Sequence, residues 1–198
     1  MRSIVSLVLT AVILQQGAAQ ERQVSEVTCE SALRILSEST AKDQRIRAAQ
    51  ELATKCSDDA RISAYQDVLR RNRHLDEEEA MLIVYPLSGL RDGAYFADVL
   101  ELAGDRSAGV STRMVAFMTL AALRNPRFSP SFEGFSAGLD RNGAPLGSCG
   151  LLTVHERLLR NGPTALPNDY VAKIDALVRR VATDPSEPSS MRSAAACT

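Results

Sequence analysis

The sequence has no tryptophan, only four tyrosines and five phenylalanines, and just two histidines. So few aromatics argue against a sugar-binding platform and against base stacking on nucleic acid. His74 and His155 are too few for most metal sites. The segment HERLL (His155–Leu159) begins like a zinc-protease HExxH, but Leu159 stands where the second ligand belongs. GxxxxGK and GxGxxG are absent, and with them the phosphate loop and the dinucleotide fingerprint. Ser111 and Ser129 have no triad partners in the pattern. The missing CxxC spacing removes a zinc knuckle and a thioredoxin-like site. No catalytic, cofactor-binding or metal-binding residue is assigned.

Charge of one sign is also lacking. The chain has 23 basic and 24 acidic residues, so it has no whole-body field for nucleic acid or anionic lipid. Its densest basic run, LRRNRH (Leu69–His74), has no interleaved aromatics and runs straight into DEEE (Asp76–Glu79). That order suits a helix C-terminus followed by a helix N-terminus. The carboxylate pairs Asp58 with Asp59 and Glu77 with Glu79 fall at expected helix starts, where capping accounts for them.

Long apolar runs are confined to the first residues. MRSIVSLVLTAVILQQGAAQ has a cation at Arg2, an apolar run from Ile4 to Leu14, and small residues at Gly17, Ala18 and Ala19. The run is shorter than the roughly 20 residues a spanning helix needs. The small-residue ending suits a signal peptidase, so residues 1–19 read as a signal peptide cleaved after Ala19. The competing reading is a buried first helix. With Arg2 gone, the 23 basic residues become 22 against 24 acidic, a net charge of −2. Residues 20–198 are long enough for one domain with a sizeable core, and no further apolar run holds them in a membrane. The expectation is a secreted or periplasmic chain.

Cys29, Cys56, Cys149 and Cys197 are an even set, and export sends them to an oxidising compartment. Four cysteines allow three connectivities, the alternative being four buried thiols. Helix layout favours sequential pairing. Cys29 begins the first expected helix and Cys56 follows the second, so a hairpin turning near Thr40 brings them to one end; Cys149 and Cys197 flank the last two hairpins in the same way.

Apolar residues recur at three-to-four spacing almost throughout, and no stretch alternates long enough for a convincing strand, so the class is all-α. Helices are expected over 26–38, 41–55, 58–72, 76–90, 93–103, 108–124, 130–139, 150–160, 168–183 and 188–197. Their starts carry signals: Thr40 with Asp43, Ser57 before two Asp, Asp76 before Glu77–Glu79, and Ser129 before Pro130. Tyr65, Tyr95, Phe132 and Tyr170 recur near first-helix starts and read as core wedges between hairpins.

Aligned on a small or apolar residue, Ala48, Ala80, Ala116, Val154 and Ala195 follow one another at 32, 36, 38 and 41 residues. All but the last are followed four residues on by Leu52, Val84, Leu120 or Leu158, the mark of a helical-hairpin array. AGDRSAGVSTRMVA (Ala103–Ala116) and ATDPSEPSSMRSAA (Ala182–Ala195) match more closely still, pairing Asp105 with Asp184, Ser107 with Ser186 and Arg113 with Arg192. In this reading the Asp ends one helix, the Ser starts the next, and the Arg reaches back to the Asp.

These residues resemble the HEAT-like repeat family over roughly Val27 to Cys197. The chain departs from the pattern where Glu77 and Leu151 take the Arg position, and in the long stretch DRNGAPLGSCG (Asp140–Gly150). The resemblance implies a short right-handed α-solenoid of about five stacked hairpins, and a non-catalytic scaffold that binds a protein or peptide. Arg45, Arg47 and Arg113 are candidates for a binding surface on the stacked second helices. For Arg45 and Arg113 the opposing reading is structural, as ties between repeats. An envelope hydrolase or carbohydrate-active domain on an all-helical fold is the alternative function.

Overall fold

The computed structural model describes residues 28–89, 95–125, 127–152, 166 and 168–198. The expected leader at 1–19 and most of the helix expected over 150–160, with His155, lie outside them. Among the described residues the chain is mostly helical. Six helices form the first half and the middle: α1 (Cys29–Glu38), α2 (Lys42–Lys55), α3 (Asp58–Arg71), α4 (Glu77–Ile83), α5 (Phe96–Gly104) and α6 (Val110–Arg124). After these come β1 (Phe128–Pro130), α7 (Phe132–Ser136), β2 (Gly150–Leu152), α8 (Asn168–Thr183) and α9 (Ser189–Cys197).

Local chemistry sets the helix ends. Thr28 and Ser31 form a reciprocal capping box on α1, at 3.2 Å for Ser31 N to Thr28 Oγ1 and 2.9 Å for Thr28 N to Ser31 Oγ. Ser57 caps α3 and Asp76 caps α4, each accepting the N–H three residues on. The expected Thr40–Asp43 pair does not cap α2. Ala41 holds the cap position without a side-chain bond, and the Ser39 hydroxyl accepts the Ala41 N–H instead. The helix expected over 76–90 stops at Ile83 and continues as a 3-10 turn over Tyr85–Gly89. Pro86 is the cause: it has no N–H to donate and it disfavours helical backbone at the residue before it.

Packing sorts the helices into two rows. α2 and α6 both pack on α4, and α9 packs on α6. On the other side α1 packs on α3 and α5 on α8, while Gln66 of α3 donates to Asp98 of α5 at 2.5 Å. Across the rows α1 meets α2, α5 meets α6, and α8 meets α9. α6 lies at the centre, with every residue from Thr112 to Leu123 buried. A helix that is apolar nearly all round has to be enclosed on all sides. Here α4, α5, α7, α9, β1 and the 3-10 turn enclose it.

The helix expected over 130–139 is not formed as such. Residues 128–130 pair antiparallel with 150–152, aligning Phe128 with Leu152 and Pro130 with Gly150. The one-turn α7 is capped by Ser131 rather than Ser129, and it contains Gly134 and ends before Gly138, whose φ is +87°. Asn142-Gly143 then reverses the chain with Gly143 at φ +82°, and the Asp140 carboxylate accepts both the Asn142 and Ala144 N–H groups. At Gly134 a Cβ would lie 1.6 Å from the Ser148 carbonyl oxygen, so the returning chain crosses α7 where only glycine fits. Of the expected aromatic wedges, Tyr65 and Tyr95 are fully buried, whereas Phe132 and Tyr170 are half-buried; Phe135 fills the core beside Phe128 instead.

Two disulfides close the array. Cys29–Cys56 joins the start of α1 to the end of α2, with Cα atoms 5.1 Å apart, and Cys149–Cys197 ties the ribbon to the end of α9 at 5.5 Å. No helix among the described residues is long and apolar enough to cross a membrane.

Candidate functional site

The repeated Asp-x-Ser turns have the same bonds at both places. Asp105 accepts the Ser107 N–H at 2.8 Å and its hydroxyl at 2.7 Å; Asp184 accepts those of Ser186 at 2.9 and 2.6 Å. The serines therefore close Asx turns and do not cap the following helices, whose cap positions are Gly109 and Pro188. The Ser107 hydroxyl, then Arg73, hold the Asp105 carboxyl down at a pKa of about 2. The Ser186 bonds, with Arg106, likewise lower Asp184.

The repeated arginines do not reach back to those aspartates. Arg113 is 3% exposed and forms a two-pronged bond to Glu187, at 2.9 Å on each prong, while Nε donates to the Ala103 carbonyl at 3.2 Å. Arg45 donates through Nε and Nη2 to Glu79 at 2.7 and 2.6 Å and through Nη1 to the Thr40 carbonyl at 2.7 Å. Both side chains are thus engaged with residues distant in the chain. From Thr112 to Leu123 α6 presents no open surface, and of the three candidates only Arg47 is exposed. Arg192, the counterpart of Arg113, is half-buried and its Nε has no partner among the described residues.

Together these contacts make a directional ladder, in which cations of one layer bind anions of the next. Lys42 and Arg45 meet Asp76 and Glu79; Arg73 meets Glu101 and Asp105 at 2.9 and 2.6 Å; Arg106 and Arg113 meet Asp184 and Glu187. Hydrogen bonds from Arg113 outweigh the burial that opposes them and lower the Glu187 pKa.

Beside the ladder lies a groove of about 1050 Å³ between α5 and α8. The two helices run in the same direction. Near their starts the Phe96 and Tyr170 rings stack with centroids 4.0 Å apart and planes 8° from parallel. At the other end Gly104 leaves room for Arg180, whose Nη2 would lie 2.8 Å from a Cβ there. Leu100 and Leu177 line the furrow between, with Ala97 and Ala176 exposed along its walls. The opening has a packing origin. Buried Ala116 and Ala121 of α6 and Ala194 and Ala195 of α9 permit close approach in one row, while the stacked rings hold α5 and α8 apart in the other.

The polar lining is mostly spoken for. Arg73 binds Glu101 and Asp105, and Lys173 lies 5.4 Å over the Tyr170 ring and 3.4 Å from Asp169. Arg180 is exposed and has no acidic partner among the described residues. Sequence reasoning placed Tyr170 in the core and passed over this face. Its signal is the row Tyr170, Lys173, Leu177 and Arg180, at offsets of three, four and three on one helix side.

Chemically the groove can cover an apolar group and answer a negative charge. Its aliphatic hydroxyl, on Ser107, is bound to Asp105, and the lining holds no histidine. Among the described residues no group of three or more His, Cys, Asp or Glu side chains could hold a metal ion. Comparison with protein-family models, with curated proteins and with solved structures finds no match to this chain.

Proposed function

We propose that this chain is an exported, non-catalytic scaffold that binds a protein or peptide partner on a short right-handed, HEAT-like α-solenoid. The groove between α5 and α8 carries the reading: it is lined by Phe96, Leu100, Tyr170 and Leu177, and its walls come from helices of two neighbouring layers. Row-on-row helix packing and the ladder between layers support the solenoid. In this reading the predicted repeat over 130–160 has been replaced, at least up to Leu152, by a β-ribbon, and the α8–α9 pair stacks directly on α5–α6. The two disulfides and the absence of a spanning helix among the described residues are compatible with an extracellular or periplasmic location.

The competing hydrolase reading calls for two carboxylates facing each other across a cleft. Glu101 and Asp105 instead stand on one wall, four residues apart and both bound to Arg73. The test is affinity capture from an envelope extract with the disulfide-bonded protein as bait, followed by a binding titration of each captured protein against the purified chain. Saturable binding of a captured protein supports the scaffold. A set no different from that on an unrelated disulfide-bonded control removes it.

A further inference from the structure

We infer that the α5–α8 groove is a peptide site for an apolar segment followed by a carboxylate, with Arg180 as the charge-reading residue; this rests on the scaffold reading above. The furrow spans the nine residues of α5, about 13 Å at 1.5 Å per residue, enough for a short stretch of peptide. Its floor is ordered before anything binds. Phe96 is 2% exposed and stacked on Tyr170, and Leu177 is 7% exposed. An occupant therefore meets a preformed apolar surface, which limits the ordering cost of association.

Charge selects the occupant. The groove has Arg73, Lys173 and Arg180 against Glu101 and Asp105. Arg73 is neutralised by both acids, and Lys173 is engaged by Tyr170 and Asp169. Among the described residues the charge left uncompensated in the groove is the Arg180 guanidinium, stationed over Gly104 at the end away from the ring stack. A planar guanidinium beside an apolar wall suits two-pronged binding of the carboxylate of an acidic side chain. Gly104 belongs to this arrangement, since a Cβ there would come 2.8 Å from the Arg180 guanidinium and 3.2 Å from Leu177, so that one or both would have to shift. The matching ligand places Leu or Phe side chains along Leu100 and Leu177 and its acid on Arg180.

The probes are fluorescein-labelled, C-terminally amidated hexapeptides with a Leu-Phe centre, ending in Glu-Asp or in Gln-Asn, titrated by anisotropy against the intact disulfide-bonded protein. The acidic peptides should bind about tenfold tighter or more, the scale of one charge-assisted hydrogen-bonded contact. Arg180→Gln should erase that difference, and Ala176→Trp, which fills the groove from an exposed position, should weaken both peptides. Ala97→Trp does the same from the opposite wall and guards against a folding defect in either variant. Arg34→Gln, at an exposed position of α1 outside the groove lining, should change nothing. Equal binding of acidic and neutral peptides, or binding indifferent to Arg180→Gln and both Trp variants, overturns the groove site while leaving a scaffold that binds elsewhere. Concentration-dependent dimerisation abolished by Ala176→Trp would seat a second copy in the groove and overturn the peptide assignment too. An empty envelope capture, in contrast, counts against the scaffold itself.

Discussion

Arg113 and Glu187 sit 74 residues apart in the chain, yet each is the other's main partner in the interior. A buried ion pair contributes little net stability over an apolar pair of similar shape, but removing one member strands the other. Arg113→Met should therefore cost about 3 kcal/mol in urea unfolding, toward the low end because Arg106 still holds Glu187 at 3.0 Å. The double variant Arg113→Met with Glu187→Met should recover most of that loss; a double as unstable as the single would mean the pair is not what positions this loop. At Gly134 the constraint is steric. With the Ser148 carbonyl oxygen 1.6 Å from any added Cβ, Gly134→Ala should lower the melting temperature by roughly 5–10 °C, equivalent to about 2–3 kcal/mol. The arginine spacing could be read from sequence as a position on a helix. Its partner could not, because the pairing is made between layers and Glu187 occupies a place that Ala108 fills in the matching repeat.

Elements differ in how much of their form is local. α3 was legible because its Ser57 cap and its apolar periodicity agree, whereas α1 and α6 were legible from periodicity, their caps at Thr28 and Gly109 giving no signal that was read. α7 was not, because Pro130, Gly134 and Gly138 sit in a segment whose three-to-four pattern is too short to outweigh them. The stretch Asp140–Gly150 stood out in sequence only as a departure from the repeat, and the strands it helps to set side by side are three residues each, too short for alternation to register. This ribbon is attached covalently through Cys149–Cys197. Replacing both cysteines by serine should cost about 4 kcal/mol in the chain-entropy model for a separation of 48 residues, and about 3.6 kcal/mol for Cys29 with Cys56 at 27. Hydrogen exchange should separate the two: losing the second bridge should speed exchange across 128–152 while the buried amides of α6 stay protected. Uniform acceleration through α6 would show the ribbon to be part of the cooperative core.

Across the whole molecule the ladder ties stability to acidity. The Asp105 carboxyl lies at about 2, and Asp184, Glu187 and Asp76 are also held below their ordinary values. Each folded-state pKa is depressed, so its stabilisation is fully present above the unfolded value near 4 and is lost as pH falls through the folded value. Urea midpoints should hold steady from pH 7 to about pH 5 and drop progressively toward pH 2. Asp105→Asn should flatten the lower part of that decline, and an unchanged slope would remove Asp105 from the account. Sequence by itself determined the helical class, the cap signals at Ser57 and Asp76, the twin Asp-x-Ser turns and the cysteine order, because each depends on neighbours within a few turns or on hairpin geometry. Tertiary structure alone decided that α6 is enclosed, that the arginines bind across layers, and that a groove opens between α5 and α8. Those outcomes follow from which row packs closely and which is propped apart by Phe96 on Tyr170, a contact between residues 74 positions apart that no local pattern encodes.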